Sequence, residues 1–376
     1  MSRMTRRYFD AVSWDDGGRW ARFVLSPIRP MRVAIGALAI VAAACGGISA
    51  ADRMTYTVGV DGTSDELNVS LLKFFPDSLT VHPGDTIRFQ RPETGEMHTV
   101  TLGTDIPSGG GVPGGNFFQF GFGSKPLPER GMPCYLSEGR PEPGGCTSEE
   151  QQKVPFDGTQ SWHNSGGLIG GDDPYDLELA DDIEPGFYTV ICLIHTAEMR
   201  ATIKVVDSEE PADDPDEVVA RGKDEVERRS SNLLNVAKSV RPSTEGSVMA
   251  GFFTTESFGA EVPNWAMQFF PDEVEVSVGD TVTWEVRGDH TISFNAPEAA
   301  RPFYERGEDN SIIENELAAT PSGDPNAWDG SGFLNSALLS GFDPPDRFSV
   351  TFTQPGTYTY FCLVHFDMEG KVKVSG

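Results

Sequence analysis

An internal repeat constrains this chain more than any other feature. The run Phe74-Phe-Pro-Asp-Ser-Leu-Thr-Val-His-Pro-Gly-Asp-Thr matches Phe269-Phe-Pro-Asp-Glu-Val-Glu-Val-Ser-Val-Gly-Asp-Thr, and Pro185-Gly-Phe-Tyr-Thr-Val-Ile-Cys192 matches Pro355-Gly-Thr-Tyr-Thr-Tyr-Phe-Cys362. Two matched stretches in the same order imply two related domains, and 376 residues can bury two ordinary cores. The expected domains span 55–206 and 247–376, joined by residues 207–246.

Within each copy the apolar residues alternate. Val274, Val276 and Val278 precede a Gly279-Asp280 turn and Val282, Trp284 and Val286 follow it, which reads as a half-buried hairpin. Leu79, Val81, Ile87 and Phe89 repeat the pattern in the first copy. The same period puts Tyr358, Tyr360 and Cys362 on one face, so the sulfur points inward from a strand end. Ala201, Ile203 and Val205 read as one closing strand, Val372 and Val374 as another. With 41 Gly and 27 Pro, the composition favours turn-rich β structure over helical bundles. The expected class is all-β.

Each copy carries a long Gly/Pro/Asp-rich insertion. The insertions end alike, in Asn164-Ser-Gly-Gly-Leu-Ile-Gly and Asn335-Ser-Ala-Leu-Leu-Ser-Gly, so equivalent ordered loops are expected. The connecting segment begins as an acidic run and becomes helical over 216–238, where Val218, Val219, Val226, Leu233 and Leu234 form a rough apolar stripe for packing.

The formal charge of −28, from 57 acids and 29 bases, excludes a basic face for nucleic acid. Residues 1–54 read as an export region or membrane anchor: arginines at 19, 22, 29 and 32 precede an apolar run over 33–44, short for a membrane span. Met31 would make an ordinary alternative start. Cys45 resembles the lipidation cysteine of bacterial lipoproteins, the other reading being a small residue in a cleaved peptide. The mature protein is therefore expected outside the cytoplasm, secreted, periplasmic or on the cell surface. Cys134 and Cys146 flank a Pro/Gly-rich stretch and are expected to pair in that oxidising setting, the alternative being free thiols or ligands of an unrelated metal.

The repeated C-terminal stretches lead into Cys192-Leu-Ile-His195-Thr-Ala-Glu-Met199 and Cys362-Leu-Val-His365-Phe-Asp-Met368, and each has a histidine far upstream, His98 or His290. Thiolate, imidazole and thioether together form a soft ligand set. Two imidazoles and a thiolate in a near-trigonal plane, with a long thioether bond, suit both Cu(I) and Cu(II), so little must move when an electron arrives. Four of the six histidines fall in these two sets. Zinc is the competing metal, but structural zinc sites rarely use Met.

On these residues each half resembles a cupredoxin, the family of plastocyanin, amicyanin and azurin, over most of its length. Cys362-Leu-Val-His365-Phe-Asp-Met368-Glu-Gly370 is similar to the amicyanin loop. The resemblance implies two tandem cupredoxin-like Greek-key β-sandwiches with long loop insertions. It implies two type 1 coppers, one on His98, Cys192, His195 and Met199, the other on His290, Cys362, His365 and Met368. The first loop has one extra residue before its Met, which leaves Met97 and Glu198 as substitutes there. It also implies that His195 and His365 lie at the surface edge as electron exit points; Leu193, Ile194, Leu363, Val364 and Phe366 surround them with apolar area suited to a transient docking patch, although some of these must pack the core.

The expected function is extracytoplasmic electron transfer with a redox protein partner, without enzymatic turnover. The alternatives are copper storage or delivery, and a copper reductase or oxidase with an inter-domain type 2 copper. Multicopper catalysis needs further paired histidines, whereas only His82 and His163 are spare and they are unpaired. The longer first loop is expected to weaken the Met199 bond and to make domain 1 the higher-potential electron acceptor.

Overall fold

The alternating strands of each repeat divide between two sheets. The computed structural model describes residues 53–376 apart from 65–66, 93–95, 107–131, 142–144, 170–173, 245, 258–260, 309–311 and 366. Residues 1–52 of the expected export region, with Cys45, lie outside the described residues, as does Phe366.

In the first repeat one sheet runs Phe74–Phe75, Thr55–Val60, Thr86–Gln90, Tyr175–Glu178. The other runs Ser78–Val81, Thr196–Val205, Gly186–Cys192, Thr101–Leu102, Trp162–Asn164, Cys134–Leu136. The second repeat has Glu261–Phe270, Ser247–Ser257, Thr281–His290, Leu339–Thr351 in one sheet. Its other sheet is Glu273–Ser277, Glu369–Ser375, Gly356–Phe361, Ser293–Phe294, Leu334–Asn335. The strand orders correspond except that Cys134–Leu136, at the edge of the first repeat's second sheet, has no counterpart, and β-structure dominates the described residues.

The turn at Gly279-Asp280 does not close a hairpin. Glu273–Ser277 pairs with Glu369–Ser375, whereas Thr281–His290 pairs with Ser247–Ser257 and Leu339–Thr351 in the opposite sheet. The first repeat divides in the same way on either side of Gly84. Both strands turn their apolar side to one core from opposite sheets, so their alternation is the same as that of a hairpin. The first core gathers Val58, Phe74, Phe89, Val190 and Ile203; the second gathers Phe269, Trp284, Phe294, Phe352 and Tyr360, with Trp284 edge-on to Tyr360 at 5.0 Å.

Three devices hold the repeats together. The short strand Val69–Ser70 of the first repeat extends a sheet of the second, Ser70 opposite Trp265 and Val69 opposite Ala266. Helix α1 (Pro215–Ala237) starts at Asp214, whose carboxylate accepts from the Asp216 and Glu217 amides, with Pro215 in the first turn. Its Leu233 is buried with Leu67, Val69 and Phe75 of the first repeat and Phe252 and Ala266 of the second. Third, the second repeat's insertion folds as a two-stranded ribbon, Tyr304–Arg306 with Ile312–Glu314. Ile312 is buried in the first core, Tyr304 packs against both cores, and Arg306 Nη2 donates to the Gly167 carbonyl at 2.7 Å.

Cys134 and Cys146 form a disulfide, packed with Trp162, Ile191 and Leu193. Among the described residues no helix is long and apolar enough to cross a membrane.

Candidate metal centres

Each upstream histidine is held by the end of its own domain's insertion. His98 exchanges both backbone hydrogen bonds with Leu168, and His290 stands opposite Leu339 in its ladder. These leucines each lie four residues after the Asn of the repeated Asn-Ser pair. The Ser165 hydroxyl accepts from the Val100 amide at 2.8 Å, and the Ser336 hydroxyl accepts from the Ile292 amide at 2.9 Å. The threonine after each histidine then reaches the ligand loop. Thr99 Oγ1 accepts from the Leu193 amide at 2.8 Å and Thr291 Oγ1 from the Leu363 amide at 2.7 Å. Their own amides donate to the cysteine sulfurs, Thr99 to Cys192 and Thr291 to Cys362, both at 3.4 Å.

This stitching brings His98, Cys192 and His195 together in one domain, and His290, Cys362 and His365 in the other, with the donor atoms of each set within 4.8 Å of one another and all six residues buried. Cys192 Sγ lies 4.0 Å from His98 Nδ1 and 3.6 Å from His195 Nδ1. Cys362 Sγ lies 3.8 Å from His290 Nδ1 and 3.4 Å from His365 Nδ1, and those two nitrogens are 3.0 Å apart. A trigonal first-row ion with bonds of about 2.0–2.3 Å sets donor separations of about 3.5–3.8 Å. The separations here run from 3.0 to 4.0 Å and bracket that range, so two imidazole nitrogens and a thiolate are gathered closely enough in each domain to hold one copper. Burial would raise the Cys192 thiol, but His195 and His98 hold it well below its usual value; His365 and His290 do the same to Cys362. Each sulfur is thus poised as the thiolate that a metal requires.

The methionines occupy equivalent positions. Ile191 pairs with Arg200 and Phe361 with Glu369, so Met199 and Met368 each stand one residue before an equivalent ladder position, Met199 lying within its strand between the Thr196 and Arg200 pairings. Both are fully buried. The extra residue of the first loop falls within 196–198, beside a register shift after Ile191. Met97 is buried in the first core, and the Glu198 side chain lies outside the described ones.

The nitrogens facing away from the metal positions differ between domains. His290 Nε2 meets the Arg287 carbonyl at 3.1 Å, whereas His98 Nε2 meets the Asp61 carboxylate at 3.3 Å. Asp61 is buried and also accepts from the Ser70 hydroxyl and the Gly62, Leu71 and Leu72 amides. Burial would raise its carboxyl, but the hydrogen bond and charge of His98 bring it below the usual range. For His98, burial acts downward, and Asp61 with Cys192 lifts the imidazole to about 9. In the second domain Gly251 makes room for His290. At φ +72° in a strand bulge, any Cβ there would sit 2.2 Å from His290 Nε2.

The loop histidines do not lie at a surface edge. His195 is 8% exposed and His365 2%, because the two domains meet at their metal ends. Glu96 of the first domain stands between them, accepting from His365 Nε2 at 2.9 Å and lying 3.9 Å from His195 Nε2. Burial opposes its ionisation, but His365, then His195 and His98, bring its carboxyl down to about 2. Leu193, Ile194, Leu363 and Val364 are buried as well, so they pack the interior and form no open patch. The sequence could have pointed to Thr99 and Thr291, which follow their histidines identically. Asp61 and Glu96 have no counterpart in the other repeat and left no such signal.

The spare histidines join neither set. His82 Nε2 contacts the Glu210 carbonyl at 2.8 Å. His163 is buried beside Tyr175 Oη at 3.1 Å and the rings of Tyr135 and Phe156, and burial followed by Lys153 pushes its imidazole down to about 3. Among the described residues, only the two His-Cys-His groups bring three His, Cys, Asp or Glu donors together.

Residues 257–375 match the family model of copper binding proteins, plastocyanin/azurin family. Solved structures similar to the chain include a reduced Cu(I) form of an amicyanin variant, at 23% identity, covering 37% of this chain and 89% of that one with a TM-score of 0.20. A purple cupredoxin from Nitrosopumilus maritimus shares 22% identity over 35% of this chain and all of its own, TM-score 0.20. The oxidised plastocyanin of Dryopteris crassirhizoma shares 24% over 34% and 99%, TM-score 0.18. No curated protein matches the chain.

Proposed function

We propose, from the match of residues 257–375 to the family model of copper binding proteins, plastocyanin/azurin family, that the whole chain is an extracytoplasmic electron-transfer protein with one type 1 copper in each domain. One observation carries the reading: two imidazole nitrogens and a buried cysteine sulfur converge twice, by the same hydrogen bonds in both repeats. A bound copper would supply a reversible one-electron couple. His98, Cys192 and His195, with Met199, would hold the first ion; His290, Cys362 and His365, with Met368, the second. Thr99 and Thr291 fix each thiolate by an amide and tie the ligand loop to the upstream strand, so the donors keep their places through both oxidation states.

Storage or delivery fits less well, since both cysteines are enclosed. A type 2 copper would need more than His82 and His163, which have separate surroundings. A disulfide suits an oxidising compartment, and the partner is a redox protein. Asp61 revises the expected order of potentials. Glu96 faces a ligand histidine of each domain, whereas the buried carboxylate behind His98 belongs to domain 1 alone and favours the more positive ion there, which would make domain 1 the lower-potential donor and domain 2 the acceptor. The test is redox titration of the copper-loaded chain with nitrite and dioxygen as substrates. Two reversible one-electron steps without turnover support the proposal; turnover with a type 2 signal lost in His82→Ala or His163→Ala replaces it by the reductase.

A further inference from the structure

The repeat is broken at one informative place. Counting back from each upstream histidine, the second domain has Gly288 where the first has Glu96. That single carboxylate faces both loop histidines. His195 and His365 each turn Nδ1 toward their own cysteine sulfur, at 3.6 and 3.4 Å, which leaves Nε2 pointing out of the metal position. Glu96 Oε1 is 2.9 Å from His365 Nε2, and Oε2 is 3.9 Å from His195 Nε2. Cys192, His195, Glu96, His365 and Cys362 thus form one string of side chains that runs from domain to domain with no gap longer than 3.9 Å.

The surroundings seal this string. Tyr304, on the ribbon of the second domain, packs against both cores, and Ile312 of the same ribbon is buried in the first. Arg306 fastens the ribbon to the Gly167 carbonyl. Bulk water is largely kept from the carboxylate, whose side chain is 20% exposed, so hydrogen bonds to it keep more of their strength than in solvent.

We propose that Glu96 is the connection between the two centres: hydrogen-bonded to the outward nitrogen of His365 and facing that of His195 at 3.9 Å, it makes the sites a coupled pair, with His195, Glu96 and His365 as the internal electron route. The proposal rests on the two-copper reading. One electron leaves the reduced ion of one domain and reduces the oxidised ion of the other, with no net oxidation; an external redox partner supplies the first electron. The loop histidines, which the family resemblance assigns to outside partners, here serve each other.

The experiment uses the full copper-loaded chain, wild type, Glu96→Gln and Glu96→Ala. Copper content and EPR come first. Two type 1 signals in all three proteins establish the underlying reading, and their absence from wild type sinks that reading irrespective of Glu96. Internal electron transfer is then followed after pulse reduction, and it should be slower in Glu96→Ala than in wild type. Glu96→Gln, which keeps an acceptor for His365, should fall between. Imidazole nitrogen NMR of the fully reduced, diamagnetic protein gives a readout independent of transfer. The Nε2–H signals of both His195 and His365 should move in Glu96→Gln. Movement of His365 alone, or an internal rate in Glu96→Ala equal to wild type, would overturn the bridge.

Discussion

Replacing Asp61 by Asn should raise the reduction potential of the domain 1 centre and leave domain 2 unchanged. Asp61 Oδ2 lies 3.3 Å from His98 Nε2, and the far ring nitrogen faces the cysteine. Adding the ring and a metal bond places the carboxylate about 7 Å from the ion. A unit charge at about 7 Å in an effective dielectric of about 20 is worth about 2.4 kcal/mol. For one electron this is roughly 100 mV. The sign is upward, because removing a negative charge destabilises the oxidised ion more than the reduced one. Asn also points an NH2 at His98 Nε2, a donor when Nδ1 holds the metal, so stability should fall by about 1–3 kcal/mol. The assay is spectroelectrochemical titration of Asp61→Asn in a Cys362→Ala background, where only the first site reports. An unchanged or lowered potential would show that the carboxylate's charge is not felt at the metal, and would return the ordering of the sites to loop length.

Gly251→Ala should destabilise domain 2 and displace His290, since its Cβ would meet His290 Nε2 at 2.2 Å and the Arg287 carbonyl at 2.6 Å; copper loss confined to the second site checks this. His163, buried and neutral, has its imidazole at about 3 against 6.5 when unperturbed. The unfolded chain therefore binds the extra proton as pH falls below 6.5, and stability is lost by up to about 1.4 kcal/mol per pH unit until about pH 3. Denaturant titrations of His163→Gln should lack this component. Removing the disulfide by Cys134→Ala with Cys146→Ala should cost about 3 kcal/mol for a loop closed over 12 residues, read as a lower midpoint with both copper spectra intact.

The strand alternation and the two His-Cys-His sets were legible because each is local in sequence or duplicated. Val372, Val374 and the Asn-Ser ends of the insertions found their places for that reason. The Gly279-Asp280 turn misled because period-two alternation records which face is buried and not which sheet a strand joins. The burial of His195 and His365 could not be read from either repeat alone. It arises from the meeting of two domains and from Glu96, Tyr304 and Ile312, residues without equivalents in the other copy. The outer partner of His98 was hidden for the same reason, since Asp61 lies 37 residues away and its counterpart is a backbone carbonyl.

Quantitative copper analysis, combined with EPR and visible absorption of the loaded chain and its two cysteine variants, reads directly whether each domain holds a type 1 centre. Two coppers per chain are expected, all with narrow-hyperfine type 1 signals and intense thiolate-to-copper absorption. Cys192→Ala and Cys362→Ala should each retain one ion and lose one of two distinguishable bands. A single copper in wild type that persists in Cys192→Ala, or signals without thiolate character, would contradict a type 1 centre in each domain.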